Sequence, residues 1–275
     1  EVTHVANECN TLQQRRQADV QTHIAIENMA EFMGDDALEL MAFELHQRAA
    51  GHSDHGVSRC NARRESVNAT LLVKNGYFEV QDASSQLVAE YLDVEPGMKV
   101  VDTCAGAGGK TLHLASFMKN KGQIIAMDIY ESKLRKLKVR ARRNKVHNID
   151  TRVIDSTKPI KKLYGKADRV LIDAPCSGLG VLRRNPDSKW KLQPEFLDNI
   201  KKVQQDILQH YSKMVKHGGK LVYATCSVLP SENQHQIAEF VASESGKEVK
   251  LVKDNKVLAH ISGFDGVYMA QLERE

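Results

Sequence analysis

The 275-residue chain contains no run of 18 apolar residues, so the sequence offers no membrane-spanning helix. It contains no Cys-x-x-Cys, and its five cysteines (Cys9, Cys60, Cys104, Cys176 and Cys226) are odd in number and spread over a long chain. These absences argue against a structural zinc site and against a disulfide framework. The first ten residues are polar and lack the apolar stretch of a secretory signal, and the Glu start reads as a fragment or a trimmed chain. Single free thiols suit a reducing cytoplasm, where they can serve as nucleophiles. Tryptophan is nearly absent, with Trp190 the one example.

Lysine is missing before Lys74. Residues 1–68 hold 6 Arg against 11 Asp and Glu, about −5, whereas residues 69–275 hold 33 Lys and Arg against 24 acids, about +9. The composition therefore divides the chain into an acidic segment, 1–68, and a basic domain, 69–275. In the first, apolar residues recur at helical spacing over Thr22–His46, and Gly51–Asn68 reads as a polar linker. Five of the 11 histidines fall there (His4, His23, His46, His52, His55), at spacings that match no ligand pattern, so no metal is expected. In the second, the positive charge suits a polyanion such as RNA, and suits equally a solvated lysine-rich surface.

From residue 70 onward, strands and helices alternate. Strands are expected at Lys99–Thr103, Gln123–Asp128, Asp150–Ile154, Ala167–Asp173 and Lys220–Thr225, with a final pair at Glu248–Lys253 and Gly266–Leu272. Helices are expected at Lys110–Lys119, Glu131–Asn144, Pro194–Lys216 and Ser231–Ser243, the last with a capping signal at Ser231 and Gln234. This is an α/β pattern: seven strands in a mostly parallel sheet with helices on both faces.

Ligands of such sheets sit beyond the carboxyl ends of the strands. The first strand runs into Cys104-Ala105-Gly106-Ala107-Gly108-Gly109-Lys110-Thr111, whose glycines allow tight turns and close backbone approach. It is not a P-loop, because Cys104 holds the place of the first glycine, and it is not GxGxxG. The next two strands end near Asp128 and Asp155. Asp128 stands 22 residues after Gly106, where an acid can accept ribose hydroxyls or cap the following helix. Asp155 is placed to accept an adenine amino group. The fourth and fifth strands run into Asp173-Ala-Pro-Cys176 and Thr225-Cys226. A lone cysteine is usually a buried core residue; two at neighbouring strand ends, on the cofactor edge, point to chemistry.

TCAGAGGKT (103–111), DAPCSGLG (173–180), RRNPDSKW (183–190) and YATCSVLPSENQ (223–234), preceded by GYFEVQDASSQLV (76–88), resemble the RsmB–Sun family of RNA 5-methylcytosine methyltransferases over about three quarters of the chain. The resemblance implies a class I, Rossmann-like methyltransferase fold, S-adenosylmethionine as cofactor, and ribosomal RNA, or secondly transfer RNA, as substrate. It implies Cys226 as nucleophile, Cys176 as the group that helps release product, Asp173 on the cytosine edge and Lys110 in support. Cofactor contacts fall to Cys104 through Lys110, Asp128, Arg135, Asp155 and Asp173. Arg183, Arg184 and Lys189 are candidate RNA contacts. The Glu131–Asn144 helix is as readily a solvated basic face, and Trp190 is expected to be packed rather than stacked on a base. Two departures stand out. Residues 1–68 do not resemble the family's RNA-recognition module, and Ala107 replaces the usual Pro. The competing reading of another class is an idle RNA-binding or ribosome-assembly factor of the same fold.

Overall fold

The computed structural model describes residues 71–77 and 79–275. The helices, linker and histidines expected in residues 1–68 lie outside them. Residues Gln81–Glu275 form one compact unit; the few described residues before it include one helical turn, Leu71–Lys74.

The unit is built on β1 (Lys99–Asp102), β2 (Gln123–Asp128), β3 (Ile149–Val153), β4 (Ala167–Asp173), β5 (Val215–Thr225), β6 (Val249–Val257) and β7 (Val267–Arg274). They form a single seven-stranded sheet in the order β3-β2-β1-β4-β5-β7-β6. The first five strands are parallel, and β7 inserts antiparallel between β5 and β6. The order reverses between β1 and β4, and that reversal opens the crevice where such sheets bind ligands. Asp102 is level with Leu171 of β4, and Asp173 with Ala224 of β5. The loops after β1, β4 and β5 therefore share one edge.

Alternation along the strands explains the two-faced core. Val170, Ile172, Leu221 and Tyr223 pack with Leu208 and Phe240 on one side, while Leu171, Val222 and Ala224 pack with Val88, Leu92 and Leu114 on the other. Those partners come from α1 (Ala83–Leu92), α2 (Gly109–Phe117), α4 (Pro194–Tyr211) and α5 (Gln234–Ala242), while α3 (Glu131–Arg143) packs Leu134 and Leu137 with Ala126 of β2. The α1 helix was not anticipated; Asp82 caps it by accepting from the Ser84 N–H at 3.0 Å. No described helix is long and apolar enough to cross a membrane.

Three expectations change. The α4 helix stops at Tyr211, not Lys216, because Met214 and Val215 are fully buried and Val215 pairs with Ala167 as the start of β5. The β3 strand ends at Val153, leaving Asp155 exposed in the loop beyond. The capping box at Ser231 and Gln234 does not form: Pro230–Glu232 is a 3-10 turn and Asn233 starts α5 without a side-chain cap. Tertiary hydrogen bonds have drawn Glu232 and Asn233 inward instead.

Candidate active site

The loop after β1 is fastened by its own backbone. Thr103 donates from N and Oγ1 to the Leu171 carbonyl (2.9 and 3.0 Å), Ala105 N–H to Met127 O (2.9 Å), and Gly108 N–H to Ala105 O (2.9 Å). Gly106 and Gly108 have φ of +56° and +89°, a region that disfavours side chains. At Gly108 there is also no room, since a Cβ would lie 2.1 Å from Leu137 Cδ1. Asp128, buried at the end of β2, accepts from Gly106 N–H (2.9 Å) and Tyr130 N–H (2.8 Å). It thus braces the glycine loop and the start of α3 together. Among the described residues, Asp155 accepts from Ser156 Oγ at 3.0 Å. Arg135 lies on the exposed side of α3, within ion-pair reach of Glu131 at 3.9 Å, and shares a surface hollow with Ala107 and Arg140. Arg140 donates to the Ala107 carbonyl at 2.7 Å. The basic residues of α3 oppose its buried Leu134, Leu137 and Ala141, so most of them form a solvated face.

Asp102 is the most perturbed acid of this edge. Its Oδ2 accepts from Thr111 Oγ1 at 2.7 Å, while Oδ1 is buried without a hydrogen-bond partner. Burial pushes its pKa up to about 7, against the Thr111 hydrogen bond. Cys104 packs against the core, and burial, with Asp102 and Asp173 nearby, pushes its thiol far above the usual range. That favours the neutral thiol over a nucleophilic thiolate at this position.

The other half of the site joins β4 to β5. Cys176 Sγ and Cys226 Sγ lie 3.1 Å apart. Their partnership divides the proton unequally. The hydrogen bond with Cys176 lowers the Cys226 pKa, against burial and Asp173 and with help from Lys110. The same bond, then burial, pushes Cys176 well up. Of the two thiols, Cys226 is therefore the more readily ionised. Lys110 Nζ, from the first turn of α2, sits 2.7 Å from Asp173 Oδ2 at the end of β4. Burial opposes its charge, but the Asp173 carboxylate more than offsets that and holds the ammonium form. The structure thus brings together Lys110, Asp173, Cys176 and Cys226, which stand up to 116 residues apart.

Beneath the cysteines runs a network that sequence reasoning missed. Glu232, fully buried, accepts from Ser177 N–H (2.8 Å), Ser227 Oγ (2.6 Å) and Gln204 Nε2 (3.1 Å). The only signal was the position of Glu232 within the motif that follows Cys226; its bonds run to residues up to 55 positions away.

Beside this, residues 180–190 and 263–266 are laced together. Gly180 N–H donates to Cys226 O and Gly266 N–H to Gly180 O, both at 2.8 Å. Arg183 donates to Gly263 O at 2.6 Å, and Arg184 pairs with the buried Asp265. Trp190, expected to be packed, is instead 76% exposed: among the described residues no element covers the short turn Ser188–Lys191, and Lys189 Nζ lies 4.7 Å from its ring centroid.

A family model described as 16S rRNA methyltransferase RsmB/F matches residues 89–273, the stretch that holds every one of these groups. The chain belongs to the RsmB/F family. Among curated relatives, the probable ribosomal RNA small subunit methyltransferase B of Bacillus subtilis is 34% identical over 226 residues, covering 76% of this chain and 51% of the relative. The ribosomal RNA small subunit methyltransferase B of Yersinia enterocolitica is 39% identical, covering 72% and 47%. The chain spans about half the length of these relatives. Among solved structures, NSun6 from Pyrococcus horikoshii with SFG is 27% identical with a TM-score of 0.68, covering 75% of this chain and 56% of that one. A methyltransferase homolog from the same organism is 26% identical with a TM-score of 0.64, covering 76% and 72%. The sheet of this RsmB/F-family chain is that of a class I methyltransferase.

Proposed function

We propose that the chain transfers a methyl group from S-adenosylmethionine to C5 of a cytosine in RNA, ribosomal RNA first and transfer RNA second. The observation that carries this reading is the thiol pair, Cys176 and Cys226, in contact at 3.1 Å beside the Lys110–Asp173 ion pair. Residues 69–275 form the methyltransferase domain in this reading, with 1–68 a separate acidic segment.

The residues fit the cofactor. The unpartnered buried Asp102 Oδ1 suits an ammonium group, the glycine loop leaves open space above Gly106, and Asp128 keeps lone pairs for ribose hydroxyls. Asp155, in the loop after β3, would reach the adenine amino group, and Arg135 would flank the glycine loop. The cofactor supplies a methyl carried on a sulfonium.

C5 of cytosine is a weak nucleophile. The Cys226 thiolate, stabilised by the Cys176 thiol, adds to C6, so a C–S bond forms and the ring electrons make C5 enamine-like, able to accept the methyl. That addition consumes the thiolate that had held the Cys176 pKa up, so Cys176 can release its proton to solvent. Its thiolate then removes the C5 proton. The C6–S bond breaks, and the resting pair of Cys226 thiolate and Cys176 thiol is restored. Asp173, aligned by Lys110, holds the cytosine edge. The cytosine must leave its stack, which costs a few kcal/mol unless it is unpaired. Lys189 and Arg183 offer charge to phosphate, Arg184 less because Asp265 engages it, and the exposed Trp190 ring offers a flanking base the face that Lys189 does not cover.

The test is quantification of 5-methylcytidine by mass spectrometry after incubation with S-adenosylmethionine and RNA from cells lacking the activity. Wild type should form it, Cys226→Ala should not, and Cys176→Ala should stall as a protein–RNA adduct. RNA binding without methyl transfer would favour the idle binding factor.

A further inference from the structure

We infer that Glu232 is the positioning residue that holds Cys176 against Cys226 and, through its buried negative charge, keeps the proton of the pair on Cys176. This rests on the two-cysteine reading above. Ser177 and Ser227 each follow one of the cysteines directly in the chain, and both donate to Glu232, at 2.8 and 2.6 Å. Their hydroxyls also meet each other at 3.1 Å. Gln204 of α4 spans from Glu232 (3.1 Å) to the Pro175 carbonyl (2.9 Å), so the residues on both sides of Cys176 are fixed to one carboxylate. Glu232 is itself pinned: Tyr223 Oη donates to its carbonyl at 2.9 Å, and the neighbouring Asn233 accepts from Thr225 Oγ1 at 2.5 Å.

Three donors converge on the carboxylate, the arrangement that an acceptor-only, ionised group satisfies. The charges around the thiols are therefore asymmetric. The Cys226 side faces the Lys110 ammonium and the Asp173 carboxylate, whereas the Cys176 side faces Glu232, whose charge disfavours a thiolate there. Tyr223 faces Cys176 as a neutral phenol, its ionisation suppressed by burial.

Glu232→Gln is isosteric and can be accommodated. Its amide can donate to Ser227 Oγ, whose hydroxyl can turn to Ser177 Oγ, so contacts persist while the charge is lost. The experiment is iodoacetamide alkylation of the full chain without RNA or cofactor, from about pH 6 to about pH 9, each cysteine read by peptide mass spectrometry. In wild type, Cys226 should react about tenfold faster than Cys176 near neutral pH. Glu232→Gln should shrink that preference about fivefold or more, while Ser227→Ala, which keeps the charge, should hold it within about twofold. A folded Glu232→Gln protein with the wild-type preference overturns the proposal. Should that variant fail to fold, Glu232→Asp decides: the charge keeps the preference for Cys226, but the shorter reach should slow diamide-driven disulfide formation between Cys176 and Cys226 severalfold, the diamide taking up the two hydrogens. Unchanged crosslinking, or failure of both variants to fold, reduces Glu232 to a structural residue and overturns the proposal. No RNA enters these measurements, so their failure would leave the methylation reading standing, and loss of that reading would leave them informative.

Discussion

The loop after β1 is held mainly by main-chain bonds, and its sequence is a run of small residues; the loops after β4 and β5 are held mainly by side chains drawn from three separate stretches. At the first, Asp128 is the principal side-chain brace, through Gly106 N–H. At the second, Glu232, Gln204, Ser177 and Ser227 bond to one another below the thiols. The contrast suits the two tasks. In the proposed reaction, a cofactor bound and released at each turnover needs open backbone, whereas two sulfurs that exchange roles need a fixed separation.

The comparison breaks most sharply at Cys226. Cys226→Ala should lower methyl transfer about 10⁴-fold or more while changing S-adenosylmethionine affinity less than about threefold by calorimetry. Comparable losses of both would mean that the two ends are not separable. Next in size is a pair of glycine substitutions. At Gly180 a Cβ would lie 2.0 Å from Gly266 O and 2.7 Å from Cys226 O, so Gly180→Ala must displace backbone at the chemical end. It should cost about 2–4 kcal/mol in denaturant melts and about 100-fold in turnover, with cofactor binding spared. Gly108→Ala, forced against Leu137 at positive φ, should show the reverse, weakening cofactor binding about tenfold or more before it harms the thiol pair.

Asp102 sharpens the comparison through pH. Its folded-state pKa, raised to about 7, exceeds that of an unfolded aspartate, so the folded state binds the extra proton. The stability it contributes is fully present below about pH 4 and is lost as pH climbs through about 7, on the order of 2–4 kcal/mol. Thermal melts of Asp102→Asn should show a flatter profile over that window. In wild type, S-adenosylmethionine should stabilise more at pH 8 than at pH 5, since its ammonium would pair with the ionised form. Equal stabilisation at both would remove Asp102 from the cofactor site. The smallest effect belongs to Trp190. Trp190→Ala should raise the KM for RNA about tenfold, as loss of one stacked base does, with kcat within about twofold. A fall in kcat alone would mean that the ring is structural.

The sequence by itself determined the elements and their order. Short apolar runs alternating with helical stretches specify a mostly parallel sheet with helices on both faces, and glycines after the first strand specify a tight turn open to close backbone approach. It also brought together the candidate reactive side chains, because Lys110, Asp173, Cys176 and Cys226 sit in short motifs at strand ends, and the parallel register delivers strand ends to one edge. Only the tertiary structure decided what surrounds them. Glu232 read as part of a helix start because local capping is all that spacing can express; its bonds to Ser177 and Gln204 cross 55 and 28 positions and exist only once β4, β5 and α4 are packed. Met214 and Val215 read as helix for the same reason, since the pull of β4 on Val215 is not written nearby. Trp190 read as core because large apolar rings usually find cover, and whether cover exists depends on where other elements stop. The 3.1 Å contact that lowers one cysteine's pKa and raises the other's is likewise a property of the folded pair, since proton sharing falls off over ångströms while sequence distance sets no length in space.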